Sequence, residues 1–455
     1  MPCGHAARTP VPTGRPPQRP GRDGVTGGAP PDVLAGGGTR TEPAGLDGPP
    51  GPCGRESGSG GDAFAPPAAA PAPDPDTDTS RAVEQVLRAY LDERVTEAAG
   101  VDPVFAHEVA ARVRSLVLRG GKRLRARFAW WGWRAGGGSP GTAEARAALR
   151  LGSALELIQA CALIHDDVMD GSPLRRGAPT LHVDFADLRA ASGTGGDHGG
   201  YGRAAAILAG DLALAWADDL AADTGAQCAA QSSLLVQWRR MRQEMVAGQY
   251  LDMRAQQGAA SPEQALRIAL LKTALYTVER PLALGAALAG MDGRDAAALG
   301  AAGRCAGVAF QLRDDLLGVF GDPAVTGKPS GEDIRGGKPT YLTAVARARL
   351  ERSGDTDSLR LLQRAVGEPG LGEEDMRRVR DVLEGSGARG ATEAEIDRLV
   401  RRGREHLARV PLPASVADAV SGLLGTAVGG PPARSPGHAA ASRPESMSFV
   451  RGEHT

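Results

Sequence analysis

Residues 143–170 read AEARAALRLGSALELIQACALIHDDVMD. Leu149, Leu155, Ile158, Ala162 and Leu163 make the run strongly apolar, and it holds no proline. Strands rarely exceed about ten residues, so an apolar run of this length reads as a buried helix. The helical period continues outward. In Arg81–Ala99, the residues Val83, Val86, Leu87, Tyr90 and Leu91 fall at three- and four-residue steps between charges, as in an amphipathic helix. Further helices are expected at about 204–223, 228–257, 262–289, 294–320, 339–351, 356–367, 373–385, 391–408 and 413–427. The glycine- and proline-rich stretches Gly193–Gly202 and Thr326–Pro339 read as loops. Neither a β-hairpin signal nor an internal repeat is found. The fold class is therefore all-α, with one large domain over residues 80–428.

Residues 1–79 and 429–455 are crowded with Pro, Gly and Ala and carry few large apolar side chains. Such segments bury too little surface to offset the entropy of ordering, so both ends are expected to be disordered. Basic and acidic residues nearly cancel, 53 against 54, which argues against a nucleic-acid partner. Cys3, Cys53, Cys161, Cys228 and Cys305 are scattered and form no CxxC pair. A reduced, cytoplasmic protein fits them better than a disulfide framework or a zinc site. The opening MPCGHAARTP lacks the apolar core of a secretory signal. No stretch approaches the ~18 uninterrupted apolar residues of a transmembrane segment.

The long helix ends in His165-Asp-Asp-Val-Met-Asp170. Residues i and i+4 share a helix face, so Asp166 and Asp170 project together with Asp167 beside them. Carboxylates this close raise one another's pKa, and a hard divalent ion with oxygen ligands relieves the repulsion. Taken alone, an acidic helix end is as readily a solvated surface as a metal site. Asp218, Asp219 and Asp223 also lie close together on a helix, but no arginine pair follows them and no chemistry is assigned to them. The first cluster differs in its sequel, Gly171-Ser-Pro-Leu-Arg-Arg-Gly177, where Arg175 and Arg176 can fork diphosphate oxygens.

A second pair, Asp314 and Asp315, stands near the end of another helix with Gln311 one turn earlier. A glycine-rich loop follows, bearing Lys328 and Lys338, and suits a lid that meets diphosphate and excludes water. Gly120-Gly-Lys-Arg-Leu-Arg125 adds Lys122 and Arg125 near a helix start, which itself attracts anions. It lacks P-loop spacing. Lys272-Thr273 is a weak signal taken alone, because most such lysines are simply solvated.

Taken in order, GGKRLR, LELIQACALIHDDVMDGSPLRRG, LLKTAL, QLRDDLLGVFGD and GKPSGEDIRGGK closely resemble the trans-prenyl diphosphate synthases, which include the farnesyl and geranylgeranyl diphosphate synthases. The resemblance spans most of residues 80–428. It implies the isoprenoid-synthase fold, a helical bundle around a deep central cavity, paired as a homodimer. The implied substrates are isopentenyl diphosphate and an allylic diphosphate, with two to three Mg2+ ions as cofactor. On this resemblance Lys122, Arg125, Arg176 and Gln159 grip isopentenyl diphosphate. Asp166, Asp167 and Asp170 form the first magnesium site, and Asp314 and Asp315 the second. Arg175, Lys272, Thr273, Gln311, Lys328 and Lys338 match contacts of the allylic diphosphate. Two departures stand out. Gly318 occupies the third aspartate position of the second motif, and the last helix (Ser421-Gly-Leu-Leu-Gly-Thr-Ala-Val) lacks the basic residue that some members carry near its end.

In the implied reaction the allylic C–O bond ionises to a resonance-stabilised carbocation. The double bond of isopentenyl diphosphate then attacks, and a proton is lost to the released diphosphate. No protein nucleophile is needed, in keeping with the lack of a convincing Ser/His/Asp or Cys/His set. Cys161 and Ala162 are small where family members that stop at farnesyl length carry aromatics. Leu157 and Ile158 lie one turn deeper, about 5.4 Å, and are larger. Geranylgeranyl diphosphate, a C20 product, is therefore expected. A class I terpene cyclase would need a second metal motif containing Asn, and the chain has no asparagine. A regulatory subunit of a heteromeric synthase tends to lose an aspartate motif or its basic grips, and this chain keeps both aspartate pairs and the grips.

Overall fold

The computed structural model describes residues 73–175, 177–228, 231–256, 260–291, 293–322 and 330–429, and these are almost entirely helical. Most of the two terminal segments, together with Arg176 and Lys328, lies outside the described residues. Helix α1, Thr79–Val101, starts where the Asp78 carboxylate accepts a hydrogen bond from the Arg81 amide at 3.0 Å. Its apolar stripe, Val83, Leu87 and Leu91, is fully buried. Helix α2 (103–118) follows with a π turn at Ala106–Ala110, and α3 is Leu124–Ala135.

Helix α4, Ala143–Asp170, matches the bounds read from the sequence. Thr142 caps its start, accepting from the Ala145 amide at 3.1 Å, and Gly171, at φ 62°, turns the chain out of the helix directly after Asp170. Its length and composition would let α4 cross a membrane, but 72% of its most apolar window is buried inside the protein, as in a core helix. Helix α5, Leu181–Ala191, was not foreseen. Helix α6, His198–Ala226, packs along both α4 and α5.

The start of α6 corrects the loop expected at Gly193–Gly202. Asp197 caps the helix through the Gly200 amide at 2.8 Å. A Cβ on Gly202 would lie 2.1 Å from the His182 carbonyl oxygen, so that glycine serves a close helix crossing rather than a turn. The hairpin that the sequence did not signal is also present. Strand β1, Leu174–Arg175, pairs antiparallel with β2, Ala178–Pro179, with Leu174 opposite Pro179 and Arg175 opposite Ala178. Two-residue strands are too short to show an alternating pattern.

Helix α7 is Gln231–Gln256. Helix α8 (262–288) opens at Ser261, whose hydroxyl and Gln264 form a capping box. Helix α9 is Gly293–Phe320 and α10 the short Glu332–Arg335. They are followed by α11 Tyr341–Ser353, α12 Thr356–Ala365, α13 Glu373–Gly385, α14 Ala388–Leu407 and α15 Ala414–Ala427. One apolar cluster gathers α1, α3, α4, α6 and α7, and a second gathers α8, α9 and the C-terminal helices. The acidic ends of α4 and α9 face the same cavity.

Candidate active site

Because Gly171 stops α4 so abruptly, Asp166, Asp167 and Asp170 occupy its last turn. The hairpin folds back over that turn and aims Arg175 at Asp167. Arg175 Nε lies 2.7 and 2.9 Å from the two Asp167 oxygens, and Nη2 lies 2.6 Å from Oδ1. Burial raises the Asp167 carboxyl pKa, and the Arg175 hydrogen bonds offset only part of that rise. Asp166 meets Lys272 Nζ at 3.3 Å and accepts from Gln249 Nε2 at 3.1 Å. Asp170 is more open to solvent, yet the surrounding protein still raises its carboxyl, and Asp166 adds to the shift.

Helix α8 is regular over Pro262–Ile268, widens into π turns over Ala269–Glu279, and becomes regular again over Arg280–Leu288. Such widening often marks functional positions, and here it carries Lys272 and Thr273. Lys272 Nζ lies 2.5 Å from Asp252 of α7. Burial disfavours the ammonium, but Asp252 and Asp166 outweigh it and hold the pKa above the ordinary lysine value. Lys272 is thus a fixed positive charge at neutral pH.

On α9, Asp315 is buried and accepts from Gln311 Nε2 at 2.7 Å. Desolvation pushes its carboxyl up to about 8. Residues 332–335 of the stretch expected as a glycine-rich loop instead form α10, which brings Asp333 to the same cavity. A Cβ on Gly318 would lie 2.9 Å from Asp333 Oδ2, and the Gly331 amide donates to the Gly318 carbonyl at 2.7 Å. Lys338 Nζ lies 3.2 Å from Asp333. Burial works against this ammonium, while Asp333 and Asp170 raise its pKa.

Arg125 lies with its guanidinium 4.0 Å from the Tyr276 ring centre and donates to Thr277 Oγ1 at 2.8 Å. Arg125 Nε and Gln159 Oε1 are buried without a partner among the described residues. An unmet buried polar atom costs about 1–3 kcal/mol, so a polar ligand is favoured there. Lys122 is exposed.

Two cavities meet at Asp166, Lys272, Thr273, Gln311 and Asp314. The smaller, about 190 Å3, is lined by five carboxylates (Asp166, Asp252, Asp314, Asp315 and Asp333) against two ammonium groups, Lys272 and Lys338. That excess of hard oxygen donors fits divalent cations. Among the described residues no three His, Cys, Asp or Glu side chains group closely enough to hold an ion unaided. Mg2+ typically takes one or two carboxylates and completes its shell with substrate phosphates and water.

The larger cavity, about 480 Å3, runs past Cys161 and Ala162 on α4 and Met245, Val246 and Tyr250 on α7. Leu157 and Ile158, read from the sequence as its deeper floor, are fully buried and do not line it. Residues i−4 and i−5 from Asp166 reach the cavity, whereas the turn above them packs into the core.

Sequence reasoning gave no role to Asp252, Gln249 or Asp333. Asp333 stood within a motif already singled out, but Asp252 and Gln249 have no local signal, because their partners are distant in the chain. The control cluster is a structural tie: Asp218 accepts from Trp238 Nε1 at 2.7 Å and pairs with Arg242.

The polyprenyl synthetase family matches residues 107–379. Geranylfarnesyl diphosphate synthase of Aeropyrum pernix is 34% identical over 300 residues, covering 65% of this chain and 86% of that protein. A short chain isoprenyl diphosphate synthase of Methanothermobacter thermautotrophicus is 32% identical over 314 residues, covering 68% and 86%. Among solved structures, the chain is similar to a geranylgeranyl pyrophosphate synthase from Corynebacterium glutamicum complexed with isoprenyl diphosphate and magnesium. The TM-score is 0.72 at 39% identity, over 78% of this chain and 98% of that one.

Proposed function

This chain belongs to the polyprenyl synthetase family and is a prenyl diphosphate synthase, and on that premise we propose that it joins isopentenyl diphosphate to an allylic diphosphate and releases geranylgeranyl diphosphate. The observation that carries the reading is the junction of the two cavities, one walled by carboxylates and the other largely apolar. An allylic diphosphate spans such a junction with its charged head at Asp166 and Asp314 and its tail past Ala162.

Asp166, Asp167 and Asp170 from α4, with Asp314 and Asp315 from α9, would hold two to three Mg2+ ions. When bound, these supply the charge that stabilises the departing diphosphate. Asp333, beside Gly318, takes the place of the third carboxylate of the second motif. Lys272, Lys338 and Arg175 add fixed positive charge around the head group, with Thr273, Gln311 and Lys328 as further contacts. Lys122, Arg125, Arg176 and Gln159 hold isopentenyl diphosphate so that its double bond faces the allylic carbon. The proton leaves to the released diphosphate, and no side chain need act as a nucleophile.

For product length, small Cys161 and Ala162 open the passage, and Met245, Val246 and Tyr250 form the facing wall. Ile207 and Leu208 on α6 are exposed apolar side chains that line neither cavity, and pairing as a homodimer would cover them. The free thiols Cys161, Cys228 and Cys305 suit a reducing, cytoplasmic setting.

The test is product analysis of the purified protein with Mg2+ and isopentenyl diphosphate, primed separately with C5, C10 and C15 allylic diphosphates. Elongation ending at C20 supports the whole reading. Another end point keeps the reaction and overturns the length. No elongation from any primer overturns the catalytic assignment in favour of a regulatory subunit.

A further inference from the structure

Arg123 sits between the two residues assigned to the isopentenyl diphosphate grip, and it points the other way. Lys122 is exposed and Arg125 lines the larger cavity, whereas Arg123 is buried, its side chain 6% exposed. It is also the only described non-glycine residue at positive φ, 45° with ψ 38°, separated only by Lys122 from Gly120 and Gly121 at φ 85° and 137°. A side chain at left-handed φ is disfavoured by the clash of its Cβ with the backbone, and such positions persist where surrounding structure over-determines them.

The surrounding structure here is a fork. Arg123 Nη2 donates to the Val117 carbonyl in the last turn of α2 at 2.7 Å, and Nη1 donates to Glu156 Oε2 on α4 at 3.2 Å. Glu156 is itself buried and stands one turn before Gln159. One guanidinium therefore ties together the helix before the Gly-Gly-Lys turn, the helix after it, and the helix that carries Gln159. Lys122 and Arg125 flank the tied residue, so the directions in which they leave the backbone follow from it.

We propose that Arg123 and Glu156 form a positioning pair that holds the Gly120–Arg125 turn in its left-handed shape and so sets Lys122, Arg125 and Gln159 to one diphosphate. The inference rests on the reading of those three residues as the isopentenyl diphosphate grip. Arg123 itself lines neither cavity, so its loss should act first on the substrate whose diphosphate Lys122, Arg125 and Gln159 hold.

Two variants test the pair by steady-state kinetics in both substrates, with melting curves alongside. Arg123→Gly keeps a residue that accepts left-handed φ and removes the fork. Glu156→Gln keeps shape and a hydrogen-bond acceptor and removes the charge. Misplaced binding groups raise KM for the substrate they hold, so Arg123→Gly should raise KM for isopentenyl diphosphate about tenfold. KM for the allylic substrate and kcat should stay within about twofold. Glu156→Gln should show the same split at smaller amplitude, and Arg123→Lys, which can reach Glu156 but not Val117 as well, should fall between wild type and Arg123→Gly.

An unchanged KM for isopentenyl diphosphate in folded Glu156→Gln and Arg123→Gly overturns the proposal. So does a parallel loss in both substrates together with a lowered Tm, which is the mark of a purely structural pair. If Arg123→Gly fails to fold, Glu156→Gln decides alone. Failure of wild type to elongate any primer overturns the functional reading instead, and is seen before any variant is compared.

Discussion

Replacing Gly318 by aspartate would place a carboxylate where Asp333 already stands. The modest crowding is with the end of a side chain, since a Cβ at 318 would lie 2.9 Å from Asp333 Oδ2. The charge matters more. Two carboxylates about 4 Å apart repel by roughly 4 kcal/mol at an effective dielectric constant of ~20. Asp333 retains 21% side-chain exposure and shares Lys338 at 3.2 Å. Screening by water and by that ammonium brings the penalty down to about 1–2 kcal/mol. For a domain of roughly 350 residues, at about 2.1 cal/mol/K of unfolding entropy per residue, that corresponds to about 1–3 °C in Tm.

The proper control is Gly318→Asn, which has the same shape and nearly the same helix propensity. In EDTA, Gly318→Asp should melt about 1–3 °C below Gly318→Asn. Added Mg2+ with inorganic diphosphate should close most of that gap, because cations between the carboxylates replace repulsion by ligation. Adding Asp333→Ala to Gly318→Asp should remove the penalty in EDTA, as in a double-mutant cycle between neighbours. Scanning fluorimetry of these three variants, with Asp333→Ala on the Gly318→Asn background to close the cycle, reads all of this. Equal melting of Gly318→Asp and Gly318→Asn in EDTA would refute the reasoning and separate Asp333 from the second aspartate pair.

Ala162→Phe places a ring in the path assigned to the growing tail. Overpacking costs about 1–3 kcal/mol, roughly 5–150-fold against the longer product, so chromatography of the products should show a shorter main species; an unchanged length would mean the tail runs elsewhere. Burial pushes the Cys161 thiol up to about 12, against about 8.5 when unfolded. The folded state keeps its proton through that interval, so this contribution to stability is complete below about pH 8.5 and is lost as pH rises toward 12. Iodoacetamide at pH 8 should therefore leave Cys161 unmodified in the native protein, as read by peptide mass spectrometry, and labelling at the rate of an open thiol would contradict the burial.

Helix positions were legible wherever local signals agreed. Ala143–Asp170 and Glu373–Gly385 match their sequence-derived bounds, and others shift by a few residues, as helix ends do. Two of the misses have different causes. Gly199, Gly200 and Gly202 look like a loop by composition, yet they belong to α6 because Asp197 caps it and α5 needs a close crossing there. The hairpin at Leu174–Pro179 is held by a two-residue register too short to leave a pattern.

The candidate site divides along the same line. The aspartates at the ends of α4 and α9, the Gly-Gly-Lys turn and Lys338 were readable in the chain, because helical period and end signals are local and place such residues on known faces. Their convergence on one cavity was implied by the family resemblance, not by period or spacing. That Asp252 pairs with Lys272, that Asp333 fills the space beside Gly318, that α8 widens at Lys272, and that α7 rather than the upper turn of α4 walls the tail cavity all depend on contacts between distant segments. Periodicity says which face of a helix is apolar, but only the packing of several helices decides what that face meets.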